Sequence, residues 1–318
     1  MKLIKYFSIF LILITLFGCD ESNDANDTPN LEDKHEHIFI DEYCSCGTHV
    51  SVNLLSFKEI CKNNVLVGYE IIDCEETAEE VVIPSKYKSL PVTLISENSF
   101  SECINLREIV IPETVTTIEE RIFYGCENLE KLTMPSLKNI TIEYLSNSFT
   151  ENALKKSLKE VFINSGTEIG VNAFNGCKNL EKVTLPDSIT NIKKSAFNGC
   201  SALKEINLPK NLKIIDSYAF ANCKALEKIE LPESIEMICS QVFHGCTALK
   251  YIIIPDDVIL MGARVFQNCK SIFVYTNSPN IDKWLKIWSF LNTTTTNTIT
   301  VYYEGEWSMV DGIPQPLN

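Results

Sequence analysis

The sequence predicts a β-rich solenoid, in which stacked rungs of 23 residues are built from short strands and helical turns, with a cap at either end. Three observations carry this. Phe100, Phe123, Phe149, Phe174, Phe197, Phe220, Phe243 and Phe266 recur at intervals of 23, 26, 25, 23, 23, 23 and 23 residues, and they make up half of the 16 phenylalanines. Three residues after each stands Cys103, Cys126, Asn152, Cys177, Cys200, Cys223, Cys246 or Cys269. A Leu-x-x-Ile-x-Leu-Pro segment follows, as in Leu203-Ile206-Leu208-Pro209 and Leu226-Ile229-Leu231-Pro232.

One unit explains the wording. Ile206 and Leu208 alternate with Glu205 and Asn207, the period of a half-buried strand. Pro209 ends it, because proline brings no N–H to a ladder. A second short extended piece puts Leu212 and Ile215 inward, and Tyr218 to Cys223 returns the chain through a helical turn. Such a rung cannot fold alone, since its six or seven buried side chains return less free energy than ordering 23 residues costs. Stacking supplies ladder hydrogen bonds and covers both faces of each rung, so stability belongs to the array. Eight rungs at the strand spacing of about 4.8 Å extend on the order of 40 Å.

The period and the F-x-G-C-x-x-L-x-x-I-x-L-P wording resemble the leucine-rich repeat, in the BspA-like class of bacterial surface antigens. The resemblance covers residues 80–276. Two units depart from it: the Phe123 repeat gains three residues after Pro135, and the Phe149 repeat has Asn152 for Cys and Asn164 for Pro. The register is therefore least defined over residues 136–164. The resemblance implies a leucine-rich-repeat solenoid that binds host matrix proteins, other cells or glycoproteins.

The remaining segments flank this array. Residues 1–19 combine Lys2 and Lys5, an apolar run and a small residue before Cys19, the layout of an export signal. Leu16-Phe17-Gly18-Cys19 resembles the lipobox of bacterial lipoproteins, which implies acylation of Cys19; a plain cleaved signal and an uncleaved anchor are the alternatives. Residues 20–34 are acidic and nearly free of large apolar side chains, so they form a solvated tether. This run also resembles the surface-export signal of some Gram-negative lipoproteins, with a plain charged spacer as the other reading. Residues 35–79 form a small Cys/His-containing cap region, in which VLVGYEIIDC reads as a strand. Residues 277–318 form the C-terminal cap: Ile281, Trp284, Leu285 and Trp288 fall at helix spacing, TITVYYEGEW reads as a strand, and the tryptophans shield the last rung.

Composition narrows the function. The net charge of −14 becomes −16 once Lys2 and Lys5 are removed, which argues against nucleic acid as a partner. No G-x-S-x-G, H-E-x-x-H or phosphate-binding glycine loop is present, and His244 falls in a loop slot shared with Asn175, Asn198 and Ala221, so the chain is read as non-enzymatic. The seven repeat cysteines are read as buried free thiols rather than disulfides, because equivalent side chains on stacked rungs point in parallel.

Two groups of residues are candidate sites. His35, His37, Cys44, Cys46 and His49 could hold Zn2+, with metal handling or an enzymatic N-terminal segment as the matching function. Alternatively Cys44, Cys46, Cys61 and Cys74 form two disulfides or stay as thiols. The second group is the strand face turned away from the core. Its columns run Glu108, Lys131, Glu160, Lys182, Glu205, Lys228, Tyr251 and Val110, Thr133, Phe162, Thr184, Asn207, Glu230, Ile253. Tyr251 and Ile253, on the last full rung, are either an exposed anchor for a partner or the seat of the C-terminal cap. Phe162, Glu205, Asn207, Lys228 and Glu230 complete the binding set. The expected protein is lipid-anchored at the outer membrane and cell surface, binding proteins or glycoproteins; a periplasmic scaffold without an external ligand is the alternative.

Overall fold

The computed structural model describes residues 39–40, 43–44, 52–136, 153–277, 279–280, 282, 298–302, 306–310 and 313–317. Cys19, His35, His37, Cys46, His49, Asn152, Trp284, Leu285 and Trp288 lie outside these residues, as do the export signal and the tether. Among the described residues, no helix is long and apolar enough to cross a membrane.

The described repeats form a β-solenoid of stacked turns with little helix. The turns build two parallel ladders. The first runs through Glu80–Val82, Glu108–Val110, Lys131–Met134, Glu160–Ile163 and Lys182–Thr184. Its register aligns Lys131 with both Glu108 and Glu160, and Thr133 with both Val110 and Phe162, so the columns expected from alternation are real. The second ladder runs through Glu168–Ile169, Asn191–Ile192, Ile214–Ile215, Met237–Ile238 and Leu260–Met261. Between the ladders the inward residues meet: Phe197, Cys200, Leu203, Leu212 and Ile215 are fully buried, as are Phe220, Cys223, Leu226, Ile235 and Ile238.

The third side of each rung is a corner of tight turns rather than a helical one. Ser195, Tyr218, Gln241 and Arg264, two residues before the phenylalanine, adopt left-handed backbone, and so do Gly199, Asn222, Gly245 and Asn268 two residues after it. Two such bends fold the chain sharply enough to aim one ring inward per rung. The corners also bond to one another: Phe197 N–H donates to Ala219 O at 2.8 Å and Phe220 N–H to Val242 O at 3.0 Å. Gly245 meets the left-handed φ of 72° without a side chain, where Asn222 and Asn268 fill the same slot, and a Cβ there would lie 2.7 Å from Asn222 Oδ1. Stacked corners bring the rings of Phe174, Phe197, Phe220, Phe243 and Phe266 into an offset pile with centroids 5.4–5.9 Å apart.

The first ladder is not continuous, contrary to the uniform alternation of the sequence. Residues 205–208 and 228–231 carry no ladder pairing, and the sheet resumes only at Tyr251–Ile254. Backbone bonds persist beside the gap, as in Ala225 N–H to Ser201 O at 3.1 Å. The cause lies in the outward residues. Paired strands carry Val110, Thr133, Phe162, Thr184 and Ile253 at the second outward position, whereas the unpaired rungs carry Asn207 and Glu230, which fit a pleated sheet poorly. The last inward position is half-buried at Leu208 and Leu231, as it already is at Leu185 on the last paired rung, and buried at Ile111 and Ile254.

At the C-terminal end the array runs further than the sequence suggests. Tyr251–Ile254 is not the last rung strand: it pairs in parallel with Ser271–Thr276, which pairs with Thr298–Tyr302. The hairpin Trp307–Val310 with Ile313–Pro316 follows. At the other end, Leu55–Lys62 and Val65–Cys74 form an antiparallel pair, and Val65–Cys74 bonds in parallel to Leu90–Ile95.

Candidate functional site

The repeat cysteines are part of the frame. Cys103, Cys126, Cys177, Cys200, Cys223, Cys246 and Cys269 are all buried and free. Thiols donate across rungs: Cys126 Sγ to Phe100 O at 3.0 Å, Cys200 to Phe174 O at 3.2 Å, Cys223 to Phe197 O at 3.3 Å and Cys246 to Phe220 O at 3.1 Å. The slot therefore takes a small apolar side chain with one donor, which is what a thiol supplies. Burial pushes the thiols of Cys177 and Cys269 up to about 12, so these are poor nucleophiles.

The outer face of the first ladder is the surface on which the rungs differ. Towards its N-terminal end it is charged and internally paired: Lys131 Nζ lies 3.5 Å from Glu108 and the Lys182 ammonium sits 5.6 Å from the centre of the half-buried Phe162 ring. In the unpaired stretch Glu205, Asn207, Lys228 and Glu230 are all exposed. Lys228 and Glu230 stand 2.5 Å apart, and this carboxylate holds the ammonium above its ordinary range. An exposed pair of this kind positions charge without adding much stability.

Towards the C-terminal end the same columns turn aromatic. Tyr251 stands in register with Phe273 and Thr300, and Ile253 with Tyr275 and Tyr302. Tyr251 and Ile253 are half-buried rather than exposed, and the exposed ring is Phe273, at 42%. Tyr275 stacks on Tyr302 at 5.0 Å and meets Trp307 at 5.3 Å, which leaves it 3% exposed. The C-terminal hairpin thus folds over Tyr275, one strand beyond the pair for which a covering cap was expected. Trp307 is structural in this arrangement. Phe273, Tyr275 and Tyr302 extend the columns beyond the residues expected there, although Ser271–Thr276 shows the same alternation, with Ile272 and Val274 inward.

Of the N-terminal cluster, only the backbone of Cys44 falls in the described residues, in the pair Tyr43–Cys44 and Phe39–Ile40. Cys61 is exposed and Cys74 buried. They sit at opposite ends of one antiparallel pair, with Cys61 opposite Leu66 and Cys74 opposite Leu55. That puts them roughly 20 Å apart, far beyond disulfide reach. The connectivity joining Cys61 to Cys74 is therefore excluded. His244 behaves as a loop residue, its Nε2 lying 3.3 Å from the Asn268 side chain.

The chain is similar to solved leucine-rich repeat proteins. One from Bacteroides ovatus shares 27% identity over 78% of this chain and 75% of its own, with a TM-score of 0.42. One from T. pallidum shares 17% over 80% of this chain and 100% of its own, at 0.32. The pneumococcal vaccine antigen PcpA shares 24% over 71% and 68%, at 0.37. Among curated proteins, none matches the chain. The model of the BspA type leucine rich repeat region matches residues 73–166 and 146–273 in six copies, well over half of the sequence. With rungs, ladders and corners all accounted for by that repeat, the chain belongs to the BspA-type leucine-rich repeat family.

Proposed function

We propose that the chain is an exported binding module: Cys19 carries a lipid anchor, residues 20–34 hold the repeats off the membrane, and the outer face of the first ladder engages a protein or glycoprotein without catalysis. One observation carries the reading. Inward positions repeat the same few residues from rung to rung, whereas outward ones alternate Glu and Lys in one column, vary in size and polarity in the other, and end in a half-open apolar group at Tyr251, Ile253 and Phe273. Aromatic side chains that keep some exposure beside a charged rim suit a protein interface. The net charge of −14 disfavours a polyanionic partner.

The test is a screen of the mature protein against matrix proteins, mucins and glycans. Tyr251→Ala, alone and with Phe273→Ala, is expected to weaken capture of the bound partner at least tenfold while the melting temperature of the single variant hardly moves. Capture by both variants at wild-type strength would place the interface elsewhere. Silence across the panel would favour a scaffold. Fatty-acid labelling that survives Cys19→Ala would refute the anchor, and resistance to protease on intact cells would refute surface display.

A further inference from the structure

The ladder of thiols breaks its own rule at its first member. On the rungs of Cys126, Cys200, Cys223, Cys246 and Cys269 each thiol donates to a phenylalanine carbonyl at 3.0–3.3 Å. Cys103 has no phenylalanine-bearing corner before it. The strand Val65–Cys74 passes there instead, and the Cys103 Sγ lies 3.9 Å from both Cys74 O and Glu75 O. The Cys74 Sγ lies 3.8 Å from the same Glu75 O, so the two thiols share one carbonyl. Both residues are buried, Cys74 at 5% and Cys103 at 0% exposure.

The objection to disulfides along the ladder does not hold for this pair. Repeat cysteines point in parallel because they occupy one slot on successive rungs. Cys74 is outside that slot, at the end of a long strand of the lead-in pair, and its thiol reaches the same Glu75 carbonyl as that of Cys103. Two thiols that reach one carbonyl oxygen from different elements can turn towards each other by side-chain rotation to form a bond of about 2.05 Å. Hydrogen bonding from Cys74 also lets Cys103 ionise more readily than an ordinary thiol, while that contact and burial hold Cys74 up.

We propose that Cys74 and Cys103 close a disulfide that locks the lead-in strand Val65–Cys74 onto the first phenylalanine rung. The oxidant is a low-molecular-weight disulfide. A thiolate of the pair attacks it, expels one thiol and leaves a mixed disulfide on the protein; the second thiol loses its proton and displaces the other half. Two protein thiols are oxidised by two electrons, one S–S bond forms, and the reagent leaves as two reduced thiols. The bond forms while the array is assembling, before burial shuts the reagent out. It closes the end of the repeats, where a solenoid frays first.

The experiment refolds the full chain from denaturant in a buffer of oxidised and reduced glutathione, alkylates free thiols, and maps peptides without reduction. The expected map joins the Cys74 peptide to the Cys103 peptide, with Cys126, Cys177, Cys200, Cys223, Cys246 and Cys269 alkylated. Reduction should then lower the melting temperature by several degrees in the wild type and not in Cys74→Ala. Recovery of Cys74 and Cys103 as alkylated thiols, or of Cys74 joined to Cys44 or Cys46, overturns the proposal. Should Cys74→Ala fail to fold, the wild-type map alone decides.

Discussion

The first ladder has two ends built on the same inward residues and different outward ones. From Glu80–Val82 to Lys182–Thr184 the outer columns are charged or small apart from Phe162, and opposite charges face each other, as at Lys131 and Glu108. From Tyr251–Ile254 to Thr298–Tyr302 they carry Tyr251, Phe273, Tyr275 and Tyr302, partly covered by Trp307. Between the ends lie two rungs whose Asn207 and Glu230 leave the ladder unpaired. Beneath this variation the buried Phe, Cys, Leu and Ile positions hardly change. Folding and recognition are thereby assigned to opposite sides of the same short strands, so one side can vary without endangering the other.

The largest effect strikes the common, inward half. Native Cys177 and Cys269 ionise near 12 against an ordinary value of 9.0, because burial disfavours the thiolate. Between these values the unfolded chain has lost protons that the folded chain still holds, so stability is intact below pH 9.0 and falls as pH rises towards 12. Denaturant midpoints followed from pH 7 to 11 under reducing conditions should drop steeply above 9. A flat profile would mean the thiols are not buried as drawn.

Next in size is removal of one ring from the pile. Phe220 lies 5.4 Å from Phe197 and 5.9 Å from Phe243. Phe220→Ala should cost about 3–5 kcal/mol in urea unfolding. If the inward half is truly shared, Phe123→Ala at the other end should cost nearly as much. A difference of more than about 2 kcal/mol between the two would break the equivalence on which the comparison rests.

A smaller effect separates the ends. Trp307→Ala removes the ring that meets Tyr275 at 5.3 Å, and should cost about 1–2 kcal/mol while quenching by acrylamide reports newly exposed tyrosine. Unchanged tyrosine accessibility would show that the hairpin does not cover this face. The smallest is a gain: Asn207→Thr with Glu230→Thr gives the middle rungs the outward residue type of their paired neighbours. It should add about 1 kcal/mol or less and raise the strand signal in circular dichroism. Loss of stability would show that something other than the outward residue interrupts the ladder.

Much of this was legible in the amino-acid sequence. The rung length, the inward identity of Phe197, Cys200, Leu203 and Ile206, and the outward columns follow from spacing, because a buried slot admits few residue types and a repeat states them many times over. The break at residues 205–208 and 228–231 did not, since inward alternation there is perfect and pairing depends on the outward neighbours. Phe273 and Tyr275 escaped for a related reason: their strand lacks the leucine and proline that mark the others, yet pairs with Tyr251–Ile254.

What the sequence determined by itself is the coil and its buried face, because periodic burial is a local property that each unit carries in full. What only the tertiary structure decided lies where units meet something unlike themselves. Contacts of that kind depend on which surface happens to lie alongside, as Trp307 lies on Tyr275 and Cys74 beside Cys103. No period encodes such a neighbour. It exists only once the chain has been wound and its two ends brought against the stack.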